Sequence, residues 1–123
     1  MAENNEINKF ENGSVNISNE VLEIITTIAT KEIEGVCDLY GNISDNIGEL
    51  FKKNNYKKGI KVQIENGKVI VDLDIIVDFG VKIPDVSWTV QEAVKSSIEN
   101  MTGLKVTEVN IHVEGIKEKK ESN

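Results

Sequence analysis

The apolar positions of this chain change period several times between residues 14 and 116, and each change predicts an element. Ser14-Val15-Asn16-Ile17 alternates like a short strand and runs into Ser18, whose hydroxyl can cap a helix starting at Asn19. Val21, Leu22, Ile24, Ile25, Ile28 and Ala29 then recur at helical spacing and form one apolar face, with Glu20, Glu23, Thr27 and Lys31 away from it. Gly35 marks the stop, and Val36 to Tyr40 reads as a second short strand. Residues 41–58 are mostly polar, with Ile47, Leu50 and Phe51 spaced for a partial helical turn.

Asn66-Gly67 predicts a tight hairpin, because both central residues of a type I′ turn take positive φ. A two-residue loop fixes the register. Ile64 faces Val69, Val62 faces Val71 and Ile60 faces Leu73 on the core side, while Glu65 faces Lys68, Gln63 faces Ile70 and Lys61 faces Asp72 on the other. The second strand continues through Ile75, Val77 and Phe79 to a bend at Gly80. Pro84 suits the first turn of a second helix, Asp85 suits its positive end, and Gly103 suits its stop. Val86, Val90, Ala93, Val94, Ser97 and Met101 share one face of that helix. Val109, Ile111 and Val113 alternate inward in a last strand.

The predicted order is β-α-β-β-β-α-β, an α+β two-layer sandwich with a mostly antiparallel sheet and two helices on one face. Residues 1–12 read as an acidic disordered tail, 13–116 as the single folded domain and 117–123 as a charged disordered tail.

Composition narrows the function classes. The chain has 123 residues, 39% hydrophobic and 28% charged, with a net charge of −7, which fits one acidic globular domain. Every basic residue is Lys, so the bidentate phosphate and guanine contacts of Arg are missing and a nucleic-acid partner is disfavoured. No two glycines stand three apart, so the phosphate clamp of a KH domain is missing too. A lone cysteine, Cys37, gives no disulfide framework and reads as a small buried strand residue. The acidic start and apolar runs of at most three residues lack the features of a signal peptide or a membrane span, which points to the cytoplasm.

No constellation for catalysis, cofactor or metal assembles. His112 is the single histidine and is expected on the open sheet face beside Asn110 and Glu114. Asp72, Asp74 and Asp78 alternate along one strand, about 7 Å or more apart, and read as a solvated face rather than a cation site. Ile70 and Ile76 on that face need cover, from a local loop or from another subunit. Trp88 lies away from the apolar face of the second helix, near Lys95 and Glu99. It serves either as an interface anchor or as a contact for the 41–58 segment. Lys52, Lys53, Lys57 and Lys58 form a basic cluster that could meet an anionic membrane or nucleic acid; a solvated loop is the plainer reading.

Several segments between Gly59 and Ile116 are distinctive: Lys58-Gly59-Ile60-Lys61-Val62, Val71-Asp72-Leu73-Asp74-Ile75 and Phe79-Gly80-Val81-Lys82-Ile83-Pro84. They continue through Val90-Gln91-Glu92-Ala93-Val94-Lys95, Ile98-Glu99-Asn100-Met101-Thr102-Gly103-Leu104 and Val109-Asn110-Ile111-His112-Val113, with Ile33-Glu34-Gly35-Val36 upstream. In these segments the chain resembles the alkaline-shock, or envelope stress response, family of Gram-positive bacteria. The resemblance implies a non-enzymatic cytoplasmic protein of envelope homeostasis with no small-molecule substrate. Such a protein would self-associate and be held near the membrane by an anchored partner with a related domain.

Overall fold

The computed structural model describes residues 6–10, 13–41 and 59–118. Its elements follow as β1 (Glu6–Phe10), β2 (Gly13–Asn16), α1 (Asn19–Lys31), β3 (Val36–Leu39), β4 (Ile60–Glu65), β5 (Lys68–Asp78), α2 (Ile83–Thr102) and β6 (Lys105–Lys117). The expected α+β order is present, with one strand added at the front. That strand, β1, lies where an acidic tail is expected, and it pairs antiparallel with β2 in a sheet of its own. The Asn- and Glu-rich composition of residues 1–12 carries no sustained period that would mark a strand there. The 42–58 segment and residues 119–123 lie outside the described residues.

β5 organises the main sheet. Its inward side chains Val69, Val71, Leu73, Ile75 and Val77 are all 0% exposed. The 11 residues of β5 exceed the six of β4, so one edge of β5 is shared: β4 pairs along Lys68 to Leu73 and β3 along Ile75 to Val77, both antiparallel. β6 runs parallel along the other edge, joined to β5 by the α2 crossover. The hairpin register is the predicted one at all six pairs, and Asn66 and Gly67 adopt φ of 53° and 77°.

Where β3 ends and β4 begins, both bond to one residue of β5. The Tyr40 N–H donates to the Asp74 carbonyl at 2.8 Å, and the Asp74 N–H donates to the Gly59 carbonyl at 2.9 Å. This junction requires glycine at 59. Its φ is +88°, and a Cβ there would stand 2.5 Å from the Tyr40 carbonyl oxygen.

The helices cover one face. α1 packs against α2, β3 and β4, and α2 against β6. Ser18 caps α1 as expected, accepting from the Val21 N–H at 3.3 Å. The buried side of α1 nevertheless differs from the expected apolar face: Leu22, Ile25, Thr26, Ala29 and Thr30 are buried, whereas Val21, Ile24 and Ile28 are exposed. The small Thr and Ala side chains let the helix lie close to its neighbours, and the bulky residues on the far flank are turned out. On α2 the buried residues are Val86, Val90, Val94, Ile98 and Thr102, and Met101 is exposed instead of sharing the core face. A strict i, i+4 row takes precedence over the broader face, because the row drifts round the helix as it tracks the sheet.

α2 is strapped to the start of β6. The Glu99 carboxylate accepts from the Val106 N–H at 2.9 Å and from Lys95 Nζ at 3.0 Å. Gln91 Nε2 donates to the Val109 carbonyl at 2.9 Å, and Thr102 Oγ1 accepts from the Leu104 N–H at 3.0 Å beside the left-handed Gly103. The Val106 amide first, and then Lys95, hold the Glu99 carboxyl below the usual carboxylate range.

Two outcomes follow for the fold. Gly59→Ala is expected to destabilise the domain by about 2 kcal/mol or more, measured by denaturant unfolding, because it combines a positive φ with a backbone clash. Because the folded state depresses the Glu99 pKa, its stabilisation is present above the unfolded carboxylate pKa and is lost as pH falls through the lower folded value. Glu99→Gln should therefore lower stability at neutral pH by about 1 kcal/mol and flatten its acid dependence over that window, read from urea midpoints against pH.

Candidate interaction surface

The α2–β6 strap fixes the orientation of α2, and with it the position of Trp88. Gln91 and Glu99 both reach β6, so the flank that carries them overhangs that edge strand. Trp88 lies on the same flank, less than a turn before Gln91, and is 62% exposed. Lys95 and Glu99 are held together as an i, i+4 ion pair, with their side chains 44% and 31% exposed. They serve the strap and form a polar border next to Trp88. The 41–58 segment, the alternative cover for Trp88, lies outside the described residues apart from Gly41.

The sheet face opposite the helices is largely polar. Asp72 stands opposite Lys61 on β4 and Asn110 on β6, and Asn110 Nδ2 donates to Asp72 Oδ1 at 2.9 Å. Asp74 is in register with His112, which is exposed, and Asp78 with Lys117. The aspartates thus face cross-strand partners rather than one another. Among the described residues no group of three or more His, Cys, Asp or Glu could hold a metal ion.

Ile70 is half-buried on this face, but Ile76 is only 6% exposed within the single chain. Ile76 therefore offers little surface to a second subunit. β6 departs from regular register between Val113 and Gly115, and Gly115 comes to lie opposite Ile76, with a Cβ position 3.8 Å from the Ile76 side chain. The interface candidates thus separate: Trp88 is open, Ile70 is partly open, His112 is open but polar, and Ile76 is covered.

Cys37 is exposed, not buried. The register of β3 against β5 slips between Val36 and Asp38, which leaves Cys37 as an extra residue out of the ladder. The basic cluster Lys52, Lys53, Lys57 and Lys58 lies outside the described residues.

Besides Met101, two exposed apolar features escape sequence reasoning. Phe79 is 73% exposed at the end of β5 and borders a groove of 420 Å³ with Glu34, Gly35, Asp78, Gly80 and Val81. Its strand-like spacing suggests burial, but β5 ends at Asp78 and the left-handed Gly80 turns the chain away. The second feature is the stripe Val21, Ile24 and Ile28 on α1. The paired threonines at 26–27 and the Thr30 that follows are the sequence signal that the apolar face and the buried face do not coincide.

Comparison with known proteins places this geometry in a family. The chain is similar to YqhY of Bacillus subtilis, 41% identical over 104 residues that cover 85% of this chain and 77% of that one. It is equally similar to Spy1535 of Streptococcus pyogenes, 41% over 105 residues, covering 85% and 79%. A stress response regulator gls24 homolog of Streptococcus pyogenes is 27% identical over 110 residues, covering 89% of this chain and 62% of that protein. Among solved structures, MamM CTD aligns over 80% of this chain and 98% of its own, with a TM-score of 0.49 and 12% identity, a likeness too loose to bear on function. Residues 7–118, which include both described helices and all described strands of the main sheet, match the model of the alkaline-shock family, described as having a cell envelope-related function. With that match and relatives at 41% identity, the chain belongs to the alkaline-shock, Gls24-type family.

Proposed function

We propose that this chain is a non-enzymatic structural or adaptor protein of the cell-envelope stress response, acting by self-association and by binding a membrane-anchored partner with a related domain. In this reading it works in the cytoplasm and reaches the membrane through that partner. The observation that carries the reading is Trp88. A large indole 62% exposed, held on a helix that is itself strapped to a strand, is a preorganised anchor for another protein surface. Its neighbours Lys95 and Glu99 supply the polar border that such anchors have. The family's envelope-related description and the stress-regulator name of the gls24 homologs support the pathway. A non-catalytic role is supported by the placement of the reactive side chains: Cys37 on β3 and His112 on β6 stand on opposite sides of β5.

Among the described residues no helix is long and apolar enough to cross a membrane, so in this reading the anchor belongs to the partner. Trp88→Ala should weaken capture of the partner from a detergent extract of membranes by about 2 kcal/mol, roughly thirtyfold, as expected for a central aromatic anchor. The same substitution should shift folding stability by less than about 0.5 kcal/mol, because the side chain is mostly in water. Unchanged capture by a folded Trp88→Ala protein would rule out this face as the docking site.

A further inference from the structure

Val21, Ile24 and Ile28 are 43%, 54% and 55% exposed and recur at i, i+3 and i+7, so they form one continuous stripe along α1. On the same helix Thr26 and Thr30 are 0% exposed, and their hydroxyls have no hydrogen-bond partner. The helix thus buries two hydroxyls while three branched aliphatic side chains stay in water. For a domain of this size that arrangement is unfavourable unless the stripe is covered by something else.

We propose that this stripe is a contact between two copies of the chain, with their α1 helices packed antiparallel. The inference rests on the self-association half of the proposed function and identifies the surface used. Charge selects the occupant. Glu20 lies just before the stripe and Lys31 just beyond it, both exposed. Eleven residues separate them, about three turns, so they lie on the same flank of the helix. In an antiparallel pair, residues on one flank meet the same flank of the partner, so Glu20 of each copy faces Lys31 of the other and the aliphatic stripes close between the two ion pairs. A parallel pair would not bring these charges together, and antiparallel packing also opposes the helix dipoles favourably. Lys31 Nζ lies 3.6 Å from Asp38 Oδ1, but its side chain is 46% exposed and can reach a second carboxylate. An anionic lipid surface is a poor occupant, because the polar positions of α1 include Glu20 and Glu23 against Lys31 as the single cation. Three half-exposed side chains are fewer than a stable interface of about 800 Å² per partner uses, so the dimer should depend on concentration in the accessible range.

The test is sedimentation velocity of the full chain from micromolar to near-millimolar concentration, with far-UV circular dichroism to confirm folding. The unsubstituted chain should show a concentration-dependent dimer. Glu20→Lys and Lys31→Glu should each weaken it at least tenfold, since each places like charges face to face at both ends. An equimolar mixture of the two single variants should recover the dimer, because a mixed antiparallel pair restores both ion pairs, and the double variant should recover it alone. Dimers that persist in both single variants, or a mixture that fails to recover, overturn this surface and leave the proposed function standing. A strictly monomeric unsubstituted chain overturns the surface together with the self-association half of that function. Partner capture through Trp88 is then decided separately by the membrane-extract measurement.

Discussion

Pairing of β5 along both edges, with one whole face removed from water, is the constraint from which the remaining architecture follows. Five consecutive inward side chains, from Val69 to Val77, have no exposed surface. At about 1.5–3 kcal/mol for each aliphatic side chain taken fully out of water, this row is a dominant share of the favourable free energy of a small domain. A strand of 11 residues is too long for the six-residue β4 to cover, and the uncovered part of its edge is where β3 docks. The two short strands meet at the backbone of Asp74, with Gly59 at the joint because no side chain fits there. Sheet order is thus a consequence of unequal strand lengths.

The opposite edge is governed by α2. Parallel pairing of β5 and β6 requires a crossover, and α2 supplies it. A parallel edge strand leaves backbone groups on its outer side, and Glu99 and Gln91 take up Val106 N–H and the Val109 carbonyl. These contacts set the rotation of α2 about its own axis, so the exposure of Trp88 is an indirect product of hydrogen bonds made by residues three and eleven positions further along. The structure thereby links a stabilising device to the surface read as functional. On α1 the packed layer takes in Thr26, Ala29 and Thr30 beside Leu22 and Ile25, while Val21, Ile24 and Ile28 are turned to the outer flank.

Much of this was legible in the residues. Asn66-Gly67 fixed the hairpin and its six pairs, since a two-residue loop admits a single register that keeps Ile60, Val62 and Ile64 on the core side. Ser18, Pro84 and Gly103 marked helix ends through local chemistry: a side-chain oxygen, a missing amide and a left-handed φ. Trp88 stood out because helical geometry alone put it away from the apolar face. Other features were not legible. Exposure of Cys37 depends on a slip in β3 pairing, and Ile76 is set between Asp38 of β3 and Gly115 of β6 by the register of both neighbours. Both are pairing events between segments distant in the chain.

The sequence by itself determined the periods of its segments, their capped ends, the hairpin register, the acidic charge and the family to which the chain belongs, because these depend on neighbours within a turn or a loop or on identity along the chain. Tertiary structure decided which side of each helix faces the sheet, since that is set by how closely two helices and a sheet can approach. On α1 the packed side therefore takes in Thr26 and Thr30 with Leu22, Ile25 and Ala29 and leaves Val21, Ile24 and Ile28 outside, so hydrophobicity alone is not the guide to burial.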